Sequence, residues 1–205
     1  MLRRKMLRDI KNNLSQFITI FLMVFIGILA YTGIESYMMG MQKTADKFYK
    51  ENNLQDLNVI GANFTTKDLD DIKKINHVKD AERKLSITAT TDNDKTLLAN
   101  FIDSNNISQF YIVKGEKFDV NKKGVWLDDF YAEENKLKIG DEITIKYDGY
   151  SFKEKIVGFI NVPDHVYDVK DESELYPDHG EFGFAYLSAN ELASYIEQKA
   201  MDKLG

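Results

Sequence analysis

The chain has no cysteine. That excludes disulfides, thiolate zinc sites, iron–sulfur clusters and a cysteine nucleophile, so any folded domain must hold itself by its own core. Prolines number only two, Pro163 and Pro177, and both fall in one stretch, Asn161–Gly180, which reads as a loop. No Gly-x-x-x-x-Gly-Lys-[Ser/Thr] and no Gly-x-Gly-x-x-Gly occurs, so the chain shows no recognisable nucleotide site. His-Glu-x-x-His and Gly-x-Ser-x-Gly are also missing. Positive charge is short beyond Ile34, where 22 basic residues face 32 acidic ones. An acidic surface of that kind argues against a nucleic-acid partner.

What the chain does have is one long uncharged run, Asn12 to Ile34, bounded by Lys11 and Glu35. As a helix it spans roughly 35 Å, and a bilayer's hydrocarbon core is about 30 Å thick. Hydrocarbon offers the backbone no partner, so a segment crossing it must be helical. The run is longer than the apolar region of a secretory signal, and Ala30-Tyr31-Thr32 makes a poor cleavage site. A core helix of a soluble domain is the other reading, and the basic cluster at one end argues against it. Arg3, Arg4, Lys5, Arg8 and Lys11 stand before the run against Asp9 alone. Short cytoplasmic flanks carry the Lys/Arg excess. The expected topology therefore has a cytoplasmic N-terminus and places residues from Glu35 onward outside the cell membrane.

In chain order, residues 1–11 read as a basic amphipathic leader, either a topology signal or a segment lying on the inner leaflet. Residues 12–34 are the membrane helix. Ile34, Met38, Met41, Ala45 and Phe48 recur at helical spacing, so residues 35–53 are expected to continue it as a stalk, with Asn52 and Asn53 as its stop. Strands are expected at Leu54–Ile60, Lys84–Thr91, Thr96–Asp103 and Tyr111–Val113, with a hairpin turn at Asp92-Asn93-Asp94. Thr65 and Asp68 form a weak capping box for a short helix through Ile75, with His77 as its C-terminal cap group. Further on, Gly124–Leu127 reads as a strand and Asp129–Leu137 as a helix. Lys138–Tyr147 and Tyr150–Val162 form a hairpin about Asp148-Gly149. Phe182–Leu187 is a last strand, and Ser188 with Glu191 caps a final helix through Leu204. The fold class is α+β.

Few residues suggest chemistry. Asp92-Asn93-Asp94 begins like a calcium loop, but Leu97 stands where glycine is needed and Asp103 where glutamate is. Asp164, His165, Asp168, Asp178 and His179 have metal-ligand or acid–base side chains within one long loop, where such residues are usually solvated. Trp126 reads as core, and Lys114–Lys123 as a solvated turn. No catalytic, cofactor-binding or metal residue is assigned, and the chain reads as a non-enzyme.

The leader, the single anchor with its stalk, the α+β region and a β-rich stretch follow one another in a specific order. In that order the chain resembles the N-terminal part of bacterial ABC transporter permeases of the FtsX-like/MacB-like class. The resemblance rests on KNNLSQFITIFLMVFIGILAYTGI and KLKIGDEITIKYDGYSFKEKIVGFINVPDHVY. In the second, Leu137, Ile139, Gly140, Asp141, Ile143 and Ile145 match the family's strand lead-in, and Val157-Gly158-Phe159 its return strand. It covers essentially the whole chain. The resemblance implies a porter-like part at 54–113 and 180–205, interrupted by an inserted β-rich subdomain at 114–179. It also implies three later membrane helices, which this sequence lacks, so a truncated permease is expected. Implied partners are a separate cytoplasmic ABC ATPase that binds the ATP, the lipid bilayer, and a second copy or related permease in a dimer. Implied substrates are exported peptides, antibiotics or lipoproteins. A single-pass sensor or ligand-binding protein is the alternative, and a membrane-anchored hydrolase using His165 and His179 is a third reading.

Overall fold

The computed structural model describes residues 2–62, 64–165 and 176–202. The chain divides into two compact units, Met1–Phe48 and Tyr49–Gly205.

The first unit is helical. Helix α1 spans Leu2–Asn12 and α2 spans Leu14–Glu51. The amides of Asn13 and Phe17 still donate to Asp9 and Asn13 carbonyls four residues back, so the backbone bonding runs on past Asn13. Three hydroxyls inside α2 also bond back one turn, Thr19 to Ser15 O, Thr32 to Ile28 O and Thr44 to Gly40 O. Asn53, at φ 49°, takes the left-handed conformation just beyond the helix.

The second unit is a mixed sheet with three helices. Helix α3 is Thr66–Lys73, strands β1 and β2 are Lys84–Thr91 and Thr96–Ile102, and β3 is Tyr111–Gly115. Strand β4 is Val125–Asp128, α4 is Asp129–Glu134, and β5 and β6 are Glu142–Tyr147 and Tyr150–Asn161. Strand β7 is Phe182–Ser188 and α5 is Ala189–Asp202. The strand order is β3-β6-β4-β7-β2-β1-β5, and β5 also pairs with β6. That last pairing returns the sheet on itself. Six strands make a closed ring, and β3 adds along the far half of β6.

Local chemistry explains the turns. Asp148 and Gly149 sit at φ 45° and 75° between paired Tyr147 and Tyr150, the two-residue hairpin that needs left-handed residues at both positions. Asp94, at φ 60°, turns β1 into β2. Thr65 caps α3 with the reciprocal box to Asp68. The C-cap of α3 is Lys74 and not His77, which lies beyond it at φ 73°.

Period-two alternation then sorts side chains onto two faces. Leu97, Ala99 and Phe101 of β2 join Val125, Leu127, Ile145, Phe152, Ile156, Ala185 and Leu187 in one core, which Tyr131 and Ala132 of α4 close. Ile102, Trp126, Ile160, Phe184 and Tyr186 join Phe110 on the opposite face. Because β2, β4 and β7 bury both faces, they read as continuous apolar runs.

Three expectations need correction. Leu54–Ile60 forms no strand. Its backbone is held at the start, where the Leu54 amide donates to Tyr49 O and the Gln55 amide to the Ser108 hydroxyl, next to the bonds from the Ser108 and Gln109 amides to the Asn53 and Asn52 carbonyls. Leu57 and Ile60 are 78% and 91% exposed, with no neighbouring strand to pair. The second correction concerns residues 114–179. Strands β5, β6 and β4 from that stretch pair at both ends with β1 and β7, so that they form half of one ring with β1, β2 and β7 and share one core, and the stretch does not stand apart as an inserted subdomain. The third is smaller. Helix α4 stops at Glu134, followed by the Asn135 cap and Lys136 at φ 56°, and Lys138–Asp141 is a turn before β5.

Gly183 of β7 passes directly beneath α4. A Cβ there would lie 2.5 Å from Tyr131 Cβ and 2.7 Å from its ring. Overpacking of a filled core typically costs about 1–3 kcal/mol. Gly183→Ala is therefore expected to lower unfolding stability by that amount. Denaturant titration followed by fluorescence of Trp126, the chain's one tryptophan and fully buried, checks it.

Candidate functional site

Helix α2 is the first candidate. None of its described side chains is buried, and Phe21, Met23 and Ile26 are each about two-thirds exposed or more, at 66%, 72% and 64%. By length and composition it is the one described helix able to cross a membrane. Arg3, Arg4, Lys5, Arg8 and Lys11 lie on α1, and Arg4, Lys5, Arg8 and Lys11 are exposed. Of the helical stripe, Ile34, Met38 and Met41 are exposed, while Ala45 and Phe48 are half-buried.

The residues with metal-ligand side chains do not converge. His165 is not a solvated loop residue, since it stacks on Phe184 at 4.5 Å between ring centres. His179 stacks instead on Phe130, at 5.0 Å. Asp164 accepts from Lys84 Nζ at 3.0 Å, and Asp178 Oδ1 accepts from the Gly180 amide. Asp168 lies outside the described residues. Among the described residues, no group of three His, Cys, Asp or Glu side chains is placed to hold a metal. The sequence resembling a calcium loop is spoken for as well. Lys146 pairs with Asp92 at 2.6 Å and Arg83 with Asp103 at 2.7 Å. Nor is Lys114–Lys123 a plain solvated turn. Glu116 O accepts from Trp126 Nε1 at 2.8 Å, and Val120 O accepts from the Ser188 hydroxyl.

Buried carboxyls are what sequence reading missed. Asp128 ends β4 and caps α4, accepting from the Tyr131 amide at 3.3 Å while 5% exposed. Burial pushes its pKa up to about 6, against a weaker pull from the Tyr131 amide and His179. Glu191 was read as the partner of Ser188 in a capping box, and only half of that box forms. The Ser188 amide donates to the Glu191 carboxyl. The Ser188 hydroxyl, however, goes to Val120 O and accepts from the Asn190 amide. Glu191 Oε1 reaches across to accept from the Gly124 amide at 2.7 Å. Close by, Glu154 of β6 accepts from the Tyr195 hydroxyl at 2.5 Å. One signal for this was legible. Glu154 alternates with Phe152 and Ile156, so it stands in an apolar register with its side chain turned inward.

No protein-family model matches the chain, and no curated protein does. Among solved structures it is similar to the crystal structure of the extracellular domain of the noncanonic ABC-type transporter YknZ from Gram-positive bacteria. The identity is 17% and the TM-score 0.44, over 64% of this chain and 65% of that one. The chain thus spans about two-thirds or slightly less of that structure's length, 65%.

A raised carboxyl pKa has a fixed sign. The Asp128 contribution is fully present below the ordinary value of 3.8, falls as pH rises towards 6, and is level above it. Asp128→Asn keeps a capping side chain and removes that fall. Melting temperatures across this window should decline less with pH in the variant than in the parent, and parallel curves would contradict the assignment.

Proposed function

We propose that this chain acts as a membrane subunit of an ABC transporter of the mechanotransmitting FtsX-like/MacB-like class. In this reading it couples a separate cytoplasmic ATPase to a folded domain outside the membrane. The observation that carries the proposal is α2, with its uncharged run of exposed Phe, Ile, Leu, Met and Val side chains. Water tolerates such a surface poorly, whereas lipid matches it. The basic residues of α1 support an N-terminus on the cytoplasmic side. The step from anchored protein to permease rests on the ordered sequence resemblance described above.

The division of labour follows from what the chain contains. It has no nucleotide-binding motif, so the energy source belongs to a partner that binds and hydrolyses ATP. Hydrogen bonding in α2 continues from Leu14 to Glu51, and an unbroken helix transmits displacement along its axis better than a jointed one. The stripe Ile34, Met38, Met41, Ala45 and Phe48 would serve this stalk, alongside a second copy or a related permease. The chain itself does no chemistry. The exported class would be peptides, antibiotics or lipoprotein-like molecules.

Two outcomes test the reading. Ile26 lies mid-way along the apolar run and is 64% exposed. An arginine at the centre of a membrane helix costs about 2.5–3.5 kcal/mol on insertion scales. Ile26→Arg should therefore move a large share of the protein out of the alkali-resistant membrane fraction. Affinity purification from mild detergent should also recover an ABC ATPase with the parent chain. Membrane retention without any ATPase would favour the single-pass sensor or ligand-binding alternative, and recovery in the aqueous phase would overturn the anchor itself.

A further inference from the structure

The least exposed acid among the described residues has no role in the reading above. Glu191, in the first turn of α5, is 3% exposed. Its Oε1 accepts from the Gly124 amide just before β4, and its carboxyl also accepts from the Ser188 amide at the end of β7. Its Oε2 is out of solvent and has no hydrogen-bond partner. A second buried acid faces it across the core. Glu154 of β6 is 6% exposed and is bound by Tyr195, one turn further along α5, whose ring packs edge-on against Phe152. Lys123, on the segment before β4, pulls the other way, but more weakly than burial and Glu154 push.

Two buried carboxylates that no ion pair neutralises repel, and one of them takes up a proton instead. A metal ion could in principle neutralise the pair. Calcium takes six to eight oxygens, and here Glu154 is committed to Tyr195 and Glu191 to two backbone amides. No third acidic or histidine ligand joins them among the described residues. The neutraliser that fits is a proton.

We propose that Glu191 is a proton-held latch, fastening the first turn of α5 to the start of β4 and the end of β7 while its carboxyl is neutral and loosening that helix when it ionises. The orphan Oε2 is the atom that carries the proton. Burial and the Glu154 charge push the group up to about 7, from an ordinary 4.5. The folded form therefore keeps a proton that the opened form gives up, and closure weakens as pH rises between these values. The latch is independent of any transport role, so its failure would leave the proposed function untouched.

Hydrogen exchange on the full chain in detergent, corrected for intrinsic rates, tests it. Amides of α5 should lose roughly tenfold or more protection, relative to the β1–β2 hairpin, between about pH 5.5 and 8, by linkage to the proton released on opening. In Glu191→Gln the helix should stay protected across the range. A pH-independent parent, or an unchanged fall in the variant, overturns the proposal. So does restored protection at the higher pH with millimolar calcium, which would assign a cation site. If Glu191→Gln fails to fold, infrared spectra of the Asp128→Asn chain decide the matter. A buried protonated-carboxyl band that fades with a midpoint near 7 supports the latch, and its absence below that pH overturns it.

Discussion

Closure of the sheet through β6 is the constraint on which the second unit rests. The chain has no cysteine and so no disulfide to staple it, and strand pairing completes the ring. Strand β6 serves three neighbours. Residues 150–155 pair with β5, and residues further along pair with β4 on one side and β3 on the other. The β4 ladder shifts register at Val125–Trp126, where β6 passes from one set of partners to the next, and the β3 ladder shifts further along, at Ile112–Lys114. Gly158 sits at that passage, where a Cβ would lie 2.8 Å from Trp126 Cδ1. The indole therefore packs on bare backbone, and its Nε1 is free to bind Glu116 O and hold β3 in place. A side chain at this point would separate the two halves of the strand's task.

A different solvent governs α2. In hydrocarbon the cost falls on any unpaired polar group, and the helix leaves few. The backbone pairs with itself, and Thr19 and Thr32 return their hydroxyls to carbonyls one turn back. The same bonds in water would slightly disfavour a helix. An apolar run whose two threonine hydroxyls both bond back to its own carbonyls suits a lipid surround better than an aqueous one. That argument stands on the helix alone, and is what makes the anchored reading the simplest for this chain.

Much of the fold was legible wherever the deciding interactions lie close in sequence. Asp92–Asp94 and Asp148-Gly149 needed only turn chemistry, and Thr65 with Asp68 only cap spacing. The helix of α2 needed only composition. What escaped was set by distant partners. The parallel pairing of β2 with β7 joins residues over eighty positions apart, as the Leu97–Gly183 register shows. It turns an expected insertion into half of one ring. Leu54–Ile60 has the residues of a strand but no neighbour to bond, so the pattern stays unused. Histidines in a long loop looked solvated because the aromatic faces they stack on, Phe130 and Phe184, belong to other elements.

The buried acids follow from both halves of this argument. A carboxyl in an apolar core is a standing cost, and replacement by a hydrophobic group is often neutral or stabilising. Asp128 has a local structural reason to remain, because it satisfies an amide at the start of α4. Glu191 does something no apolar side chain could. It takes the Gly124 amide, just before β4, and the Ser188 amide, at the end of β7, and so ties two separate elements to α5. A charged partner such as arginine would satisfy Oε2 but would then have to be desolvated itself. A proton neutralises the same oxygen with no added volume, and Glu154, held by Tyr195, keeps that proton bound by making ionisation of its neighbour costly. Burial and the Glu154 charge thus favour the neutral form of the acid in the core, and in the latch the docking of α5 inherits that preference.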